Sequence, residues 1–209
     1  MYTLYGSRGS GSAAVEMALR ACGLAYRPVR ASTWEPDSAL AELGRVNPLR
    51  QIPTLVLPDG TVLTESAAIL IHLALTVPEA ELLPAAPGAR AEALRALVFI
   101  AANCYAAISI CDYPERWTTA VDQAAHEAVR HGARAQLHRS WEIFADSFAA
   151  QPYFNGAQPG AVDFLAAVVS RWSEARAHLS ARRPGFMAAL QRIDAHPRVQ
   201  QVAREHWDA

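Results

Sequence analysis

Strand and helix patterns alternate along the chain as far as Val77, and helical patterns alone follow. Tyr2 to Tyr5 is a short β-prone run closed by the glycine- and serine-rich stretch Gly6 to Gly11. From Ser12 a run of strong helix formers reaches Cys22, and Gly23 comes next. Serine at the start, no breaker inside and glycine past the end predict a helix. Tyr26 to Arg30 reads as a second strand, parallel to the first because a helix joins them. Ser38 to Leu43 offers one or two helical turns, which Asn47-Pro48 stops. Thr54–Leu57 and Val62–Thr64 flank Pro58-Asp59-Gly60-Thr61, and Asp-Gly between apolar runs signals a hairpin. Glu65 to Val77 then reads as a helix with Ile69, Leu70, Leu73 and Val77 among its apolar residues.

Three prolines between Pro78 and Gly88 mark a linker. Beyond them Ala89–Ile110, Thr118–Ala149, Val162–Leu179 and Gly185–Ala195 are alanine-rich with apolar residues at helical spacing. The long second stretch either breaks near His131-Gly132 or tolerates that glycine. The predicted architecture is an α/β domain over residues 1–78, a linker over 79–88 and an all-α helical-bundle domain over 89–209.

Composition narrows the chemistry. A chain of 209 residues that is 52% hydrophobic and 19% charged has ample material for a core. Its 19 basic and 20 acidic residues leave a net charge of -1, so no global field draws it to nucleic acid or an anionic membrane. All 19 basic residues are arginine. The absence of lysine removes Schiff-base and phosphate-loop lysine chemistry and leaves a local arginine patch as the one route to nucleic acid. Cys22, Cys104 and Cys111 form no CxxC pair, which argues against a zinc ribbon, an intrinsic dithiol or any metal site. Met1 to Arg8 lacks a basic segment followed by an apolar one, so no signal peptide is read. The most apolar stretch, Leu94 to Ile110, is interrupted by Arg95 and Asn103 and falls short of ~20 apolar residues. A cytoplasmic protein in a reduced compartment is expected, without nucleic-acid or membrane partners.

Several segments taken together resemble the glutathione transferase family, over nearly the whole chain. Asn47-Pro48-Leu49-Arg50-Gln51-Ile52-Pro53-Thr54-Leu55 is similar to that family's loop into its third strand, where the proline is cis. Asp59-Gly60 followed by Leu63-Thr64-Glu65-Ser66-Ala67-Ala68-Ile69 is similar to its glutathione-binding turn, and Leu190 to Val199 to its last conserved helix and exit. The resemblance implies a thioredoxin-like first domain and a homodimer that conjugates glutathione, as co-substrate, to a small hydrophobic electrophile. A non-catalytic binding or interaction module on the same fold, and a glutathione-dependent isomerase or reductase, are the alternatives.

The residues support this in physical terms. An Xaa-Pro bond costs only about 0.5–1 kcal/mol to hold cis, so Ile52-Pro53 can present the Ile52 backbone to a peptide; a strand that simply begins with proline is the plainer reading. Glu65 and Ser66 lie between a strand and a helix, where unpaired N–H groups favour an anion. There Ser66 would hold the carboxylate and Glu65 the ammonium of a γ-glutamyl group; alternatively Thr64 caps the helix and Glu65 favours its dipole. The resemblance assigns Gln51 to the glycyl end, and Trp34 walls the cleft or simply packs.

The thiolate is the nucleophile, and a free thiol with a pKa of about 8.5 is only slightly ionised at neutral pH. Hydroxyl donors before the first helix would stabilise it, which makes Ser10 and Ser12 the candidate catalytic residues, with Tyr5 behind them. Ser12 is equally the natural N-cap. Against the bacterial branch that uses cysteine, Gly11 falls on the cysteine position. In the helical domain the resemblance places Asn103 toward a neighbouring subunit's γ-glutamyl group and Tyr105 above the thiol; an asparagine satisfied in the core is the competing reading. Cys111 to Trp117 would line the electrophile pocket. Gly160 stands where the family often carries a Ser or Thr cap three residues before Asp163.

Overall fold

The computed structural model describes residues 1–208. Four strands, β1 (Tyr2–Gly6), β2 (Tyr26–Arg30), β3 (Thr54–Val56) and β4 (Val62–Leu63), form one mixed sheet in the order β2-β1-β3-β4. β1 runs parallel to β2 and antiparallel to β3, and β3 pairs antiparallel with β4 through the Asp59-Gly60 hairpin. Helices α1 (Ser12–Ala21), α2 (Leu40–Val46) and α3 (Ser66–Thr76) complete this N-terminal domain.

The end of α1 follows from its sequence. Gly23 adopts φ +64, and the bonds Gly23 N–H to Arg20 C=O and Leu24 N–H to Leu19 C=O close the last turn. At the other end Gly11, not Ser12, occupies the cap position, without a side-chain cap bond.

The rest of the chain is helical: α4 (Pro87–Phe99), a π-helical segment (Ile100–Tyr105), α5 (Ala106–Asp112), α6 (Gln123–Ser147), α7 (Ala161–Val169), α8 (Ala175–Arg182), α9 (Pro184–Ala195) and α10 (Pro197–Trp207). α7 is buried along its whole length and packs on α1, α3, α4 and α9, so one core joins the sheet domain to the helices.

Of the two readings at Gly132 the tolerated glycine holds: helix α6 runs unbroken through it, capped by Asp122, whose side chain accepts from the Ala125 N–H at 2.9 Å. Three expectations change. The stretch Val162–Leu179 is two helices, because Ser173 and Glu174 take left-handed backbone conformations (φ +53 and +62). Pro197 begins α10 instead of ending the fold, as proline at the first helical turn forfeits no hydrogen bond. Finally, Pro87–Asp112 is continuously helical over 26 residues and is long and apolar enough to cross a membrane by length and composition, with only 39% of its most apolar window buried.

Candidate functional site

The sheet register assembles the site. Tyr5 lies opposite Thr54 and Leu55 opposite Leu63. Continued by one residue and by two, these pairings bring Gly6, Pro53 and Glu65 into one row at the same end of the sheet. The serine loop, the Gln51–Pro53 turn and the start of α3 therefore converge, although they lie far apart in sequence.

In the central segment the Ile52-Pro53 peptide is cis. Asn47 holds the approach to it. This buried side chain donates to the Gln51 carbonyl at 3.0 Å and to Thr54 Oγ1 at 2.9 Å, and accepts from the Leu49 N–H at 3.1 Å. Thr54 Oγ1 donates to the same Gln51 carbonyl at 2.8 Å. The sequence shows Asn47 only as a helix stop; its role as the clamp of this loop was missed. Gln51 is exposed, Ile52 half-buried and Pro53 buried.

Glu65 occupies the cap position of α3 with φ 64 and ψ 108, and no side chain caps the helix. The Thr64 cap considered from the sequence is therefore not made. Ser66 is buried as the first helical residue, while Glu65 is exposed beside it. The first N–H groups of this helix lack intrahelical partners, and no side chain caps them.

In the serine loop Ser7, Ser10 and Ser12 are all buried. Ser10 Oγ donates to the Ser7 carbonyl at 2.7 Å and lies 2.8 Å from Ser12 Oγ, which is itself 3.2 Å from that carbonyl. The Ser7 N–H donates to both hydroxyls at 3.3 Å. The Ser10 and Ser12 hydroxyls thus each have an acceptor within the loop. Ser7 Oγ is buried without a hydrogen-bond partner among the described residues, and only its place in a glycine-serine loop pointed to it in the sequence. Beyond it, the Arg30 guanidinium holds the Glu35 carboxyl low against modest burial, with help from the Ser32 hydroxyl.

Tyr5 turns away from the row. It is buried with Ala31 and Leu43, and its hydroxyl donates to Glu42 at 2.7 Å. Burial, then the Glu42 bond and charge, raise its pKa. Tyr105 behaves differently. A Cβ on Gly11 would lie 1.9 Å from the Tyr105 oxygen, so this phenol sits directly on the start of α1. Its ring packs on Trp172 with centroids 5.6 Å apart. Burial pushes its pKa well up, the charges of Asp112 and Glu65 add to this, and the Gly11 amide opposes it.

Asn103 is exposed and donates to the Phe99 carbonyl at 3.2 Å, so the core-asparagine reading fails. In the 111–117 segment the Tyr113 hydroxyl lies 3.3 Å from Thr33 Oγ1, tying the helical side to the loop after β2. Arg116 covers the Tyr113 ring at 3.9 Å. Trp34 and Trp117 are exposed. A side chain on Gly9 would meet Trp207 Nε1 at 3.7 Å, so α10, which sequence reading passed over, reaches the serine loop. A separate groove of about 530 Å³ between α3, the linker and the 155–158 loop contains none of the predicted site residues. Among the described residues no cluster of three or more His, Cys, Asp or Glu side chains is arranged to hold a metal.

Comparison with known proteins finds similarity to glutathione transferases. Residues 12–76 match the family model described as "Glutathione S-transferase, N-terminal domain". The chain is 29% identical to the uncharacterized GST-like protein YncG of Escherichia coli (strain K12), over 99% of this chain and 98% of that one. A glutathione transferase homologue from Sulfitobacter, solved with bound glutathione, superposes with a TM-score of 0.83 at 26% identity over 98% of each chain. The ternary complex of BphK, a bacterial GST, superposes at 0.78 with 28% identity over 98% of each chain.

Proposed function

We propose that this chain, which belongs to the glutathione S-transferase family, binds glutathione along the Gly6–Pro53–Glu65 row and conjugates its thiolate to a small hydrophobic electrophile. The observation that carries the reading is the start of α3. An uncapped helix N-terminus with a buried serine hydroxyl is suited to a carboxylate, and the exposed Glu65 beside it is suited to an ammonium. A γ-glutamyl group carries both charges on one carbon. The peptide then extends past the Ile52 backbone toward Gln51, with its thiol directed at the serine loop. The aromatic side chains of Tyr105, Tyr113 and Trp117 bound the electrophile side from the helical domain.

Titration calorimetry with glutathione, with the ultraviolet thiolate band followed against pH in the same samples, tests this. Binding with a depressed thiol pKa is expected, and absence of binding overturns the reading. Ser66→Ala removes one hydrogen bond to a carboxylate, worth about 1.5–3 kcal/mol, so affinity should fall about tenfold or more with the thermal unfolding midpoint nearly unchanged. A second reading, a glutathione-binding module without turnover, has one observation on its side: the Ser10 and Ser12 hydroxyls already have acceptors within their own loop. Normal binding with an unshifted thiol pKa would favour it.

The chain acts as a homodimer in this proposal. Leu75 on α3 and Val98 on α4 are 63% and 56% exposed on adjacent helices, and only 39% of the most apolar window of the 26-residue helix containing Val98 is buried. Pairing with a second copy covers that surface and brings Asn103, on the same helix, to the boundary.

A further inference from the structure

We propose that Tyr105, rather than a serine of the 7–12 loop, donates the hydrogen bond that holds the glutathione thiolate, and that position 11 is glycine because the phenol occupies the space of its side chain. The inference rests on the glutathione-binding reading above and assigns the reacting sulfur its partner.

Steric evidence comes first. An alanine at position 11 would place its Cβ 1.9 Å from the Tyr105 oxygen, 2.9 Å from Cζ and 3.1 Å from Cε1. No Cβ survives at such distances, so a side chain at the cap of α1 and the phenol of Tyr105 exclude each other. The hydroxyl that a loop residue would otherwise supply at the cap comes instead from the helical domain.

The backbone supports this placement. Tyr105 is the last residue of the π-helical segment Ile100–Tyr105, which lies between two ordinary helical stretches. An i to i+5 segment widens the helix and turns the residues after it, and such segments recur at functional sites. Trp172 packs on the ring with centroids 5.6 Å apart.

The serines are already occupied. Ser10 Oγ donates to the Ser7 carbonyl, and Ser12 Oγ has both that carbonyl and Ser10 Oγ within reach. Turning either proton to a thiolate breaks a buried bond of the loop. Among the described residues no serine or backbone acceptor competes in this way for the Tyr105 proton. Burial and the nearby charges of Asp112 and Glu65 keep the phenol protonated at neutral pH. It therefore serves as a donor only: the thiol proton leaves to solvent, the sulfur keeps the electron pair, and the Tyr105 O–H points at it.

Tyr105→Phe keeps the ring and its contact with Trp172 and removes only the hydroxyl. Glutathione affinity from calorimetry should change little, while the pKa of the bound thiol rises by about one unit or more, equivalent to about tenfold less thiolate near pH 7. Gly11→Ala, which displaces the phenol, should raise it in the same direction. The proposal is overturned if Tyr105→Phe binds glutathione with the wild-type thiol pKa, or if Ser10→Ala or Ser12→Ala produces the shift instead. If the wild-type chain does not bind glutathione, the binding reading fails at its root, an outcome distinct from binding with an unmoved pKa.

Discussion

Glu16 is where the last helix meets the first. Its carboxylate accepts from Tyr26 and from Arg20, the latter at 2.7 Å, and His206 Nε2 lies 2.9 Å away. Arg20 continues to Glu205 on α10 at 2.8 Å. Burial alone would raise the Glu16 pKa, but the bonds from His206, Tyr26 and Arg20 prevail and bring it down to about 2 from 4.5. A carboxylate with a depressed folded pKa contributes its full stabilisation above the unfolded value, and that contribution disappears as the pH falls from about 4.5 toward 2. Glu16→Gln should cost about 1–3 kcal/mol at neutral pH. It should also reduce the loss of stability on acidification through this window. Urea unfolding of both proteins at pH 7 and pH 3 measures the difference; equal losses in the two would refute this role for Glu16.

Among the elements, two glycines in helical settings should respond oppositely to alanine. At Gly160, before α7, a Cβ would sit 2.5 Å from the Leu82 carbonyl oxygen and 2.7 Å from Asn155 Cγ. The space of a Ser or Thr cap is filled, and Asp163 ties the turn together instead, accepting from the N–H groups of Gly160, Phe154 and Asn155 at 3.0–3.2 Å. Gly160→Ala should destabilise by about 1–3 kcal/mol, since backbone is what must yield. Gly132 lies exposed inside α6 with nothing near its missing Cβ, so Gly132→Ala should stabilise by about 0.5–1 kcal/mol. Thermal unfolding reads both signs. Legibility in the sequence follows the same division between local and distant causes. The Gly23 end of α1 and the Asp59-Gly60 hairpin are written in neighbouring residues and could be read, whereas the cis Ile52-Pro53 loop and the Glu65-Ser66 turn were implied by the family resemblance. The break at Ser173-Glu174 has no glycine or proline to mark it; His138 at the Ser173 carbonyl and the Arg171–Asp194 and Arg176–Asp194 pairs surround it through tertiary contacts. Nothing in the order of residues 100–105 marks a π segment. The contact between Gly11 and Tyr105 joins different domains, so the sequence offered both residues but not their meeting.

For the whole molecule, the question is what covers the outer side of the α4–α5 helix. Its inner side packs on α6 and α7, and more than half of its apolar window lies outside the core of one chain. Val98, Ala102 and Asn103 lie on the uncovered side, and Leu75 of α3 is exposed on the helix beside it. A stable interface needs about 800 Å² from each partner, which two adjacent helices supply far more readily than scattered side chains. Sedimentation of the wild-type chain should therefore give twice its 22.6 kDa, and the double variant Leu75→Arg, Val98→Arg should shift it to the monomer, because two buried unpaired charges per subunit oppose pairing. A wild-type monomer at micromolar concentration would refute the dimer. Glutathione affinity of the double variant separates two roles for Asn103. Unchanged affinity means that each chain completes its own site, whereas a loss matched by Asn103→Ala in the dimer, and absent from Asn103→Ala in the monomeric background, means that Asn103 acts across the subunit boundary.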